Sequence, residues 1–141
     1  MPVRDLARDD VVDASPETAV SELARTMRDE SVGSIVITDD DDVPVGIVTD
    51  RDLTTRVLAA GESPDDQTAE DVMSTDLCAV GEDAGFYDAA QAMSENGVRR
   101  LPVCAENDEI AGIITADDLT ELLADENQQL AEVIRAQRPP Y

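Results

Sequence analysis

Apolar positions in the first half of the chain change period twice. Val20, Leu23, Ala24 and Met27 recur at helical spacing, so the pattern predicts a helix with one buried face running to about Glu30. Its start is marked by Ser15-Pro16-Glu17, with Ser as N-cap, Pro in the first helical position and an acid beside the positive end of the helix dipole. Val11-Val12 reads as a short strand ahead of it. Ser34 to Ile37 and Val45 to Val48 flank the acidic turn Asp39 to Asp42 and read as a hairpin of β-branched strands. A second helix is expected from about Asp50 to Ala60.

The same order is then written again. Slid along itself, the chain aligns residues 3–58 with 69–124 without a gap. Met27 falls on Met93, Val32 on Val98, Gly46-Ile47 on Gly112-Ile113, Thr49 on Thr115, and Asp52-Leu53-Thr54 on Asp118-Leu119-Thr120. Copy two predicts a helix with Phe86, Ala89, Ala90 and Met93 inside, strands over Arg100 to Cys104 and Ile110 to Ile114, and a last helix from about Ala116 to Gln137. Each copy is short for independent stability, so the two should pack on each other about a pseudo-two-fold axis. The expected fold class is α+β: two β-α-β-β-α repeats packed through their sheets, one over residues 1–60 and one over 69–124. Residues 61–68 form a turn-rich linker, Ala69 to Met73 makes a brief helical turn, and 125–141 is a helical extension and tail. Leu122, Leu123, Leu130, Val133 and Ile134 place an apolar stripe on that last helix, which calls for a partner such as a second subunit.

Composition narrows the function. The chain has 141 residues, 42% apolar but only 2% aromatic, which allows one domain with a core of Ala, Val, Ile and Leu. Acids outnumber bases 33 to 10, a net charge of −23, and every base is Arg. Such a surface repels nucleic acid and anionic membranes, and is what the salt-rich cytoplasm of a haloarchaeon selects, since molar salt screens the self-repulsion. With no His in the chain, Ser-His-Asp triads and imidazole metal sites are excluded. Cys78 and Cys104 lack CxxC spacing and read as small core residues in a reducing compartment. No stretch is long and apolar enough to span a bilayer or act as a signal peptide, so the expected location is cytoplasmic. The run Asp39 to Asp42 lacks calcium-loop spacing and reads as a solvated turn.

The strongest local signal is the twin GIVTDRD (Gly46 to Asp52) and GIITADD (Gly112 to Asp118). In each, a buried strand ends at Thr and an acid follows three residues later, in the first turn of a helix. One reading is a capping box. The other uses the same geometry for ligand: free amides and a hydroxyl at a helix N-terminus suit a phosphate, and a nearby carboxylate suits a ribose diol.

Together with Val32 to Ile37, Val98 to Val103 and the runs Gly46 to Leu53 and Gly112 to Leu119, these motifs closely resemble a tandem pair of cystathionine β-synthase (CBS) domains, the Bateman module. The resemblance implies a non-catalytic sensor that binds AMP, ADP, ATP or S-adenosylmethionine in clefts between the repeats, without a required cofactor and with Mg²⁺ as an optional companion of the ligand. It gives Thr49 and Thr115 to phosphate, Asp52 and Asp118 to ribose, and the backbone of Val12-Asp13-Ala14 and Cys78-Ala79-Val80 to adenine. It also implies a homodimeric disc and a regulated activity on another polypeptide.

Arg51, Arg99 and Arg100 are further candidates for phosphate, offset by Asp50 and Asp117 close by. Arg51 in copy one stands where copy two has Asp117, so the clefts should bind unequally. An interaction module with vestigial clefts and a carboxylate- or metal-dependent nucleotide hydrolase are the alternative readings.

Overall fold

The computed structural model describes residues 1–139. Copy one contributes β1 (Asp13–Ala14), α1 (Val20–Glu30), β2 (Ser34–Thr38), β3 (Pro44–Thr49) and α2 (Asp50–Leu53). A short α3 (Ala69–Val72) follows the linker, and copy two gives β4 (Val80–Gly81), α4 (Phe86–Asn96), β5 (Arg100–Cys104), β6 (Ile110–Thr115) and the long α5 (Ala116–Gln137). The strands form two three-stranded sheets, β1-β2-β3 and β4-β5-β6, each with one parallel pair and one antiparallel hairpin. Both hairpins carry an irregularity at the same place, between Ile37 and Thr38 and between Val103 and Cys104.

Two cores lie beneath the sheets, and each takes residues from both copies. Leu23, Ile35, Ile37 and Val48 of copy one enclose Ala69 and Val72, which lie ahead of copy two's first strand. Leu101, Val103 and Ile114 of copy two enclose Val3, from the start of the chain, with no exposed surface left on it. Backbone hydrogen bonds repeat this exchange symmetrically. The Val3 amide donates to the Ala84 carbonyl (2.6 Å) and the Ala69 amide to the Thr18 carbonyl (2.8 Å). Arg8 exchanges both backbone bonds with Ile113 and Ser74 exchanges both with Ile47, so each sheet gains a one-residue fourth strand from the other copy.

Two glycines permit this crossing. A Cβ on Gly112 would stand 2.8 Å from the Arg8 carbonyl oxygen, and one on Gly46 would stand 2.5 Å from Met73 Sδ and 3.1 Å from the Ser74 carbonyl oxygen. The turn of the first hairpin also meets the second sheet, where the Ile110 amide donates to the Asp42 carbonyl (2.9 Å). Its counterpart in copy one is Pro44, which has no amide to offer.

The structure corrects several local expectations. The first strand is Asp13–Ala14 rather than Val11-Val12, whose neighbourhood lines a cleft instead. Helix α1 starts at Val20, not at Ser15: the Val20 and Ser21 amides are taken by the Gln67 and Pro64 carbonyls of the linker, so no side-chain cap is needed, and Ser15 closes a turn with Thr18. Ala24 is exposed, whereas Val20, Leu23 and Met27 are buried. The helix expected to reach Ala60 stays α-helical only to Leu53 and then widens into a π turn over Thr54–Leu58. Thr54 and Thr55 donate their hydroxyls to the Asp50 and Arg51 carbonyls, and the Ala59 amide reaches back five residues to Thr54. Cys78 and Cys104 are free thiols and half-buried; Cys78 packs against the copy-two core.

Replacing Gly112 by Ala drives a methyl group into backbone that side-chain motion cannot clear. Gly112→Ala should destabilise the fold by about 1–3 kcal/mol, read as a lower midpoint in equilibrium denaturant unfolding at unchanged slope.

Candidate functional site

Because the segment ahead of each copy's first strand crosses over, residues just before β1 lie against the start of the other copy's last helix. The result is a cleft of about 760 Å³. Val11, Val12 and Asp13 form one wall, and Thr26, Glu30 and the stretch Ser31 to Ser34 another. Copy two closes it with Arg100, Ile113, Thr115 and Asp117, and the exchanged segment adds Arg8 and Asp10. A second cleft of about 840 Å³ is lined by Thr75 to Ala79, Glu95 and Asn96. Five of these, Asp76, Leu77, Cys78, Ala79 and Asn96, repeat Asp10 to Asp13 and Glu30 of the first in the internal alignment. The clefts are thus pseudo-symmetric in place and unequal in chemistry: the lining of the second carries no guanidinium.

Of the residues singled out from sequence, Val12, Asp13, Arg100 and Thr115 come together in the first cleft, and Cys78 and Ala79 in the second. Ala14 and Val80 belong to the strands that continue from these walls and pair with Ile37 and Val103. Arg99 stands outside the lining, with Nη2 3.2 Å from Asp117 Oδ1 in an exposed ion pair of little energetic weight. Thr49, Arg51, Asp52 and Asp118 line neither cleft.

Both capping boxes are formed. Asp118 Oδ2 accepts the Thr115 amide (2.9 Å) and Thr115 Oγ1 accepts the Asp118 amide (3.1 Å); the same pair of bonds joins Asp52 and Thr49 at 2.8 and 3.2 Å. This closes much of the anion-binding capacity expected of the helix starts. In α5 the Ala116 amide donates to the Arg99 carbonyl (2.8 Å) and Asp118 to Thr115, leaving Asp117 with the one uncommitted amide of the first three. In α2 all three are taken, by the Gly33 carbonyl, Asp50 Oδ1 and Thr49 Oγ1. Asp118 keeps its other oxygen, Oδ1, 3.4 Å from Arg8 Nη2. Its side chain is only 9% exposed and touches the cleft only through Arg8, which lines it.

Reading one copy at a time missed Arg8, Asp10, Thr26 and Glu30. The available signal was the repeat itself, because Asp10 and Asp76 are identical partners at equivalent places in the two clefts. In the second cleft Asn96 donates a side-chain hydrogen bond to Cys78 Sγ (3.3 Å). Burial and the nearby Asp108 push the Cys104 thiol above its ordinary value. No group of three or more His, Cys, Asp or Glu that could hold a metal ion occurs among the described residues, and no described helix is long and apolar enough to cross a membrane.

The model of the CBS domain matches the chain twice, over residues 3–59 and 69–125. The chain belongs to the CBS-domain family. Its two copies are CBS repeats in tandem, and solved CBS-domain pairs share the fold. An uncharacterized protein of Methanopyrus kandleri is 38% identical over 120 residues, which make up 85% of this chain and 61% of that protein, so the CBS pair corresponds to under two thirds of that relative. Hypoxic response protein 1 of Mycobacterium tuberculosis is 32% identical over 120 residues, 85% of this chain and 83% of that one. A crystal structure of Hypoxic Response Protein I with two coordinated zinc ions superposes with a TM-score of 0.79 at 30% identity, covering 86% of this chain and 98% of that one. A CBS domain pair crystallised in complex with 5′-methylthioadenosine and S-adenosyl-L-methionine has a TM-score of 0.81 at 23% identity, covering 89% of this chain and 98% of that one. At that identity the likeness concerns the fold.

Proposed function

We propose that the chain is a non-catalytic regulatory module that binds an adenosine-containing ligand between its CBS repeats and passes the bound state to a separate protein. The observation that carries this is the first cleft, where apolar Val11, Val12, Val32 and Ile113 offer a face for a base while Thr115, Arg8 and Arg100 offer polar partners. A CBS pair of the same fold holds two adenosine compounds, which supports the choice of ligand class. Thr115 retains a hydroxyl proton for donation, because in the capping box its oxygen only accepts. Asp118 acts on a ribose through Oδ1, the oxygen the cap leaves over and Arg8 approaches. The family supplies the roles of Thr49, Asp52 and the Cys78 wall in the same way, and the second cleft is the weaker site because its lining lacks arginine. A divalent ion such as Mg²⁺ would arrive with the phosphates of a ligand.

For a ligand to switch a partner it must bind one arrangement of the module better than another, with about 1.4 kcal/mol of differential affinity for each tenfold shift. The surface that relays the shift is α5. Leu123, Leu130, Val133 and Ile134 lie along it, from 48% to 68% exposed, and two copies joined there make a homodimer.

Two measurements test these readings. Calorimetric titration of AMP and S-adenosylmethionine in molar KCl should give saturable heats that fall at least tenfold in affinity in Thr115→Ala; Asp118→Asn, which keeps an acceptor for the Thr115 amide, should weaken binding while leaving the fold intact. Absence of heat for every adenosine compound rejects the sensor in favour of an interaction module. Light scattering should give about twice the 15.1 kDa chain mass, and a monomer rejects the dimer.

A further inference from the structure

The ionisable groups lining the first cleft are Arg8 and Arg100 against Asp10, Asp13, Glu30 and Asp117, so the lining has a formal charge of 2 − 4 = −2. Adding the groups that pair with the lining, Asp118 on Arg8 and Arg99 on Asp117, leaves the balance at 3 − 5 = −2. Arg100 alone among the lining bases has no ion pair with a described carboxylate, and Nη2 lies 3.2 Å from where a Gly33 Cβ would stand. The helix start facing this space has one uncommitted amide among its first three. A polyphosphate would therefore meet one unpaired guanidinium and a surplus of carboxylates.

We infer that the first cleft selects adenosine compounds whose tail is uncharged or cationic, a thioether or a sulfonium, over those that carry phosphates. This rests on the cleft being the adenosine site proposed above. Asp10 and Asp117 are the specificity residues. Both are exposed and line the cleft, and neither takes part in a capping box; Asp10 belongs to the exchanged N-terminal segment and Asp117 to the first turn of α5. Carboxylates within contact range of a bound tail act inside the screening length that molar salt leaves, about 3 Å at 1 M, so the preference persists in the salt this acidic chain favours and widens as salt falls.

The test is titration of 5′-methylthioadenosine, S-adenosylmethionine, AMP and ATP, with chelator present to remove divalent ions, into the wild-type chain and into the double variant Asp10→Asn, Asp117→Asn. The expected result is ATP at least tenfold weaker than methylthioadenosine in the wild type, AMP between them, and a ratio of ATP to methylthioadenosine affinity that rises at least threefold in the variant. ATP or AMP binding as tightly as methylthioadenosine in the wild type overturns the inference while leaving the adenosine sensor standing. A ratio that does not move in the variant also overturns it. Binding of none of the four removes the sensor and this inference together.

Discussion

The close backbone approach at Gly46 and Gly112 is the contact on which the molecule depends. Each glycine lets a segment from the other repeat lie against the outer strand of its sheet, close enough to exchange a reciprocal pair of backbone hydrogen bonds, with Ser74 on Ile47 and Arg8 on Ile113. At Gly112 any side chain would run into the Arg8 backbone, and at Gly46 it would have to displace the Met73 side chain and crowd the Ser74 carbonyl. Neither repeat then closes its own core: Val3 fills one and Ala69 with Val72 fills the other. Two short units that would be marginal alone become one unit with two interlocked cores.

The clefts are a consequence of that exchange. Arg8 reaches the first cleft because its backbone is held on Ile113, and Ile113 itself forms part of the lining. Val12 and Thr115 line the same cleft for the same reason. The capping boxes also serve structure and site at once, since the bonds that start α5 fix the Thr115 hydroxyl and the Asp118 carboxylate while consuming amides that would otherwise attract an anion. A helix start can be pre-organised for a ligand and still be poorly suited to phosphate.

Much of this was legible in the residues. The internal repeat and the hairpins follow from β-branched runs and from identical residues at fixed spacing, and α5 is legible to its end because apolar residues return at helical spacing at Leu130, Val133 and Ile134 with no Gly or Pro between. The errors have physical causes. Ser15-Pro16-Glu17 is a sound helix start by local chemistry, but the linker carbonyls of Gln67 and Pro64 cap the helix further on, a non-local effect. Thr54 and Thr55 looked like ordinary helical residues, yet their hydroxyls compete for the carbonyls that hold an α-helix regular. The exchange itself was hidden because a repeat in sequence says which residues are equivalent and not which copy they pack against. Val12 comes from the family resemblance, whereas Arg8 is brought to the cleft only by its exchange with Ile113.

Native-state hydrogen exchange across a denaturant series tests most directly whether the exchanged segments make one folding unit. The account predicts that the slowest amides of β2 (Ile35 to Ile37) and of β5 (Leu101 and Val103) open through a single global transition, with the same free energy and the same denaturant slope. Two separate openings, with one sheet exchanging at a free energy well below the other, would contradict it, because each repeat would then hold its core without the segment supplied by its neighbour.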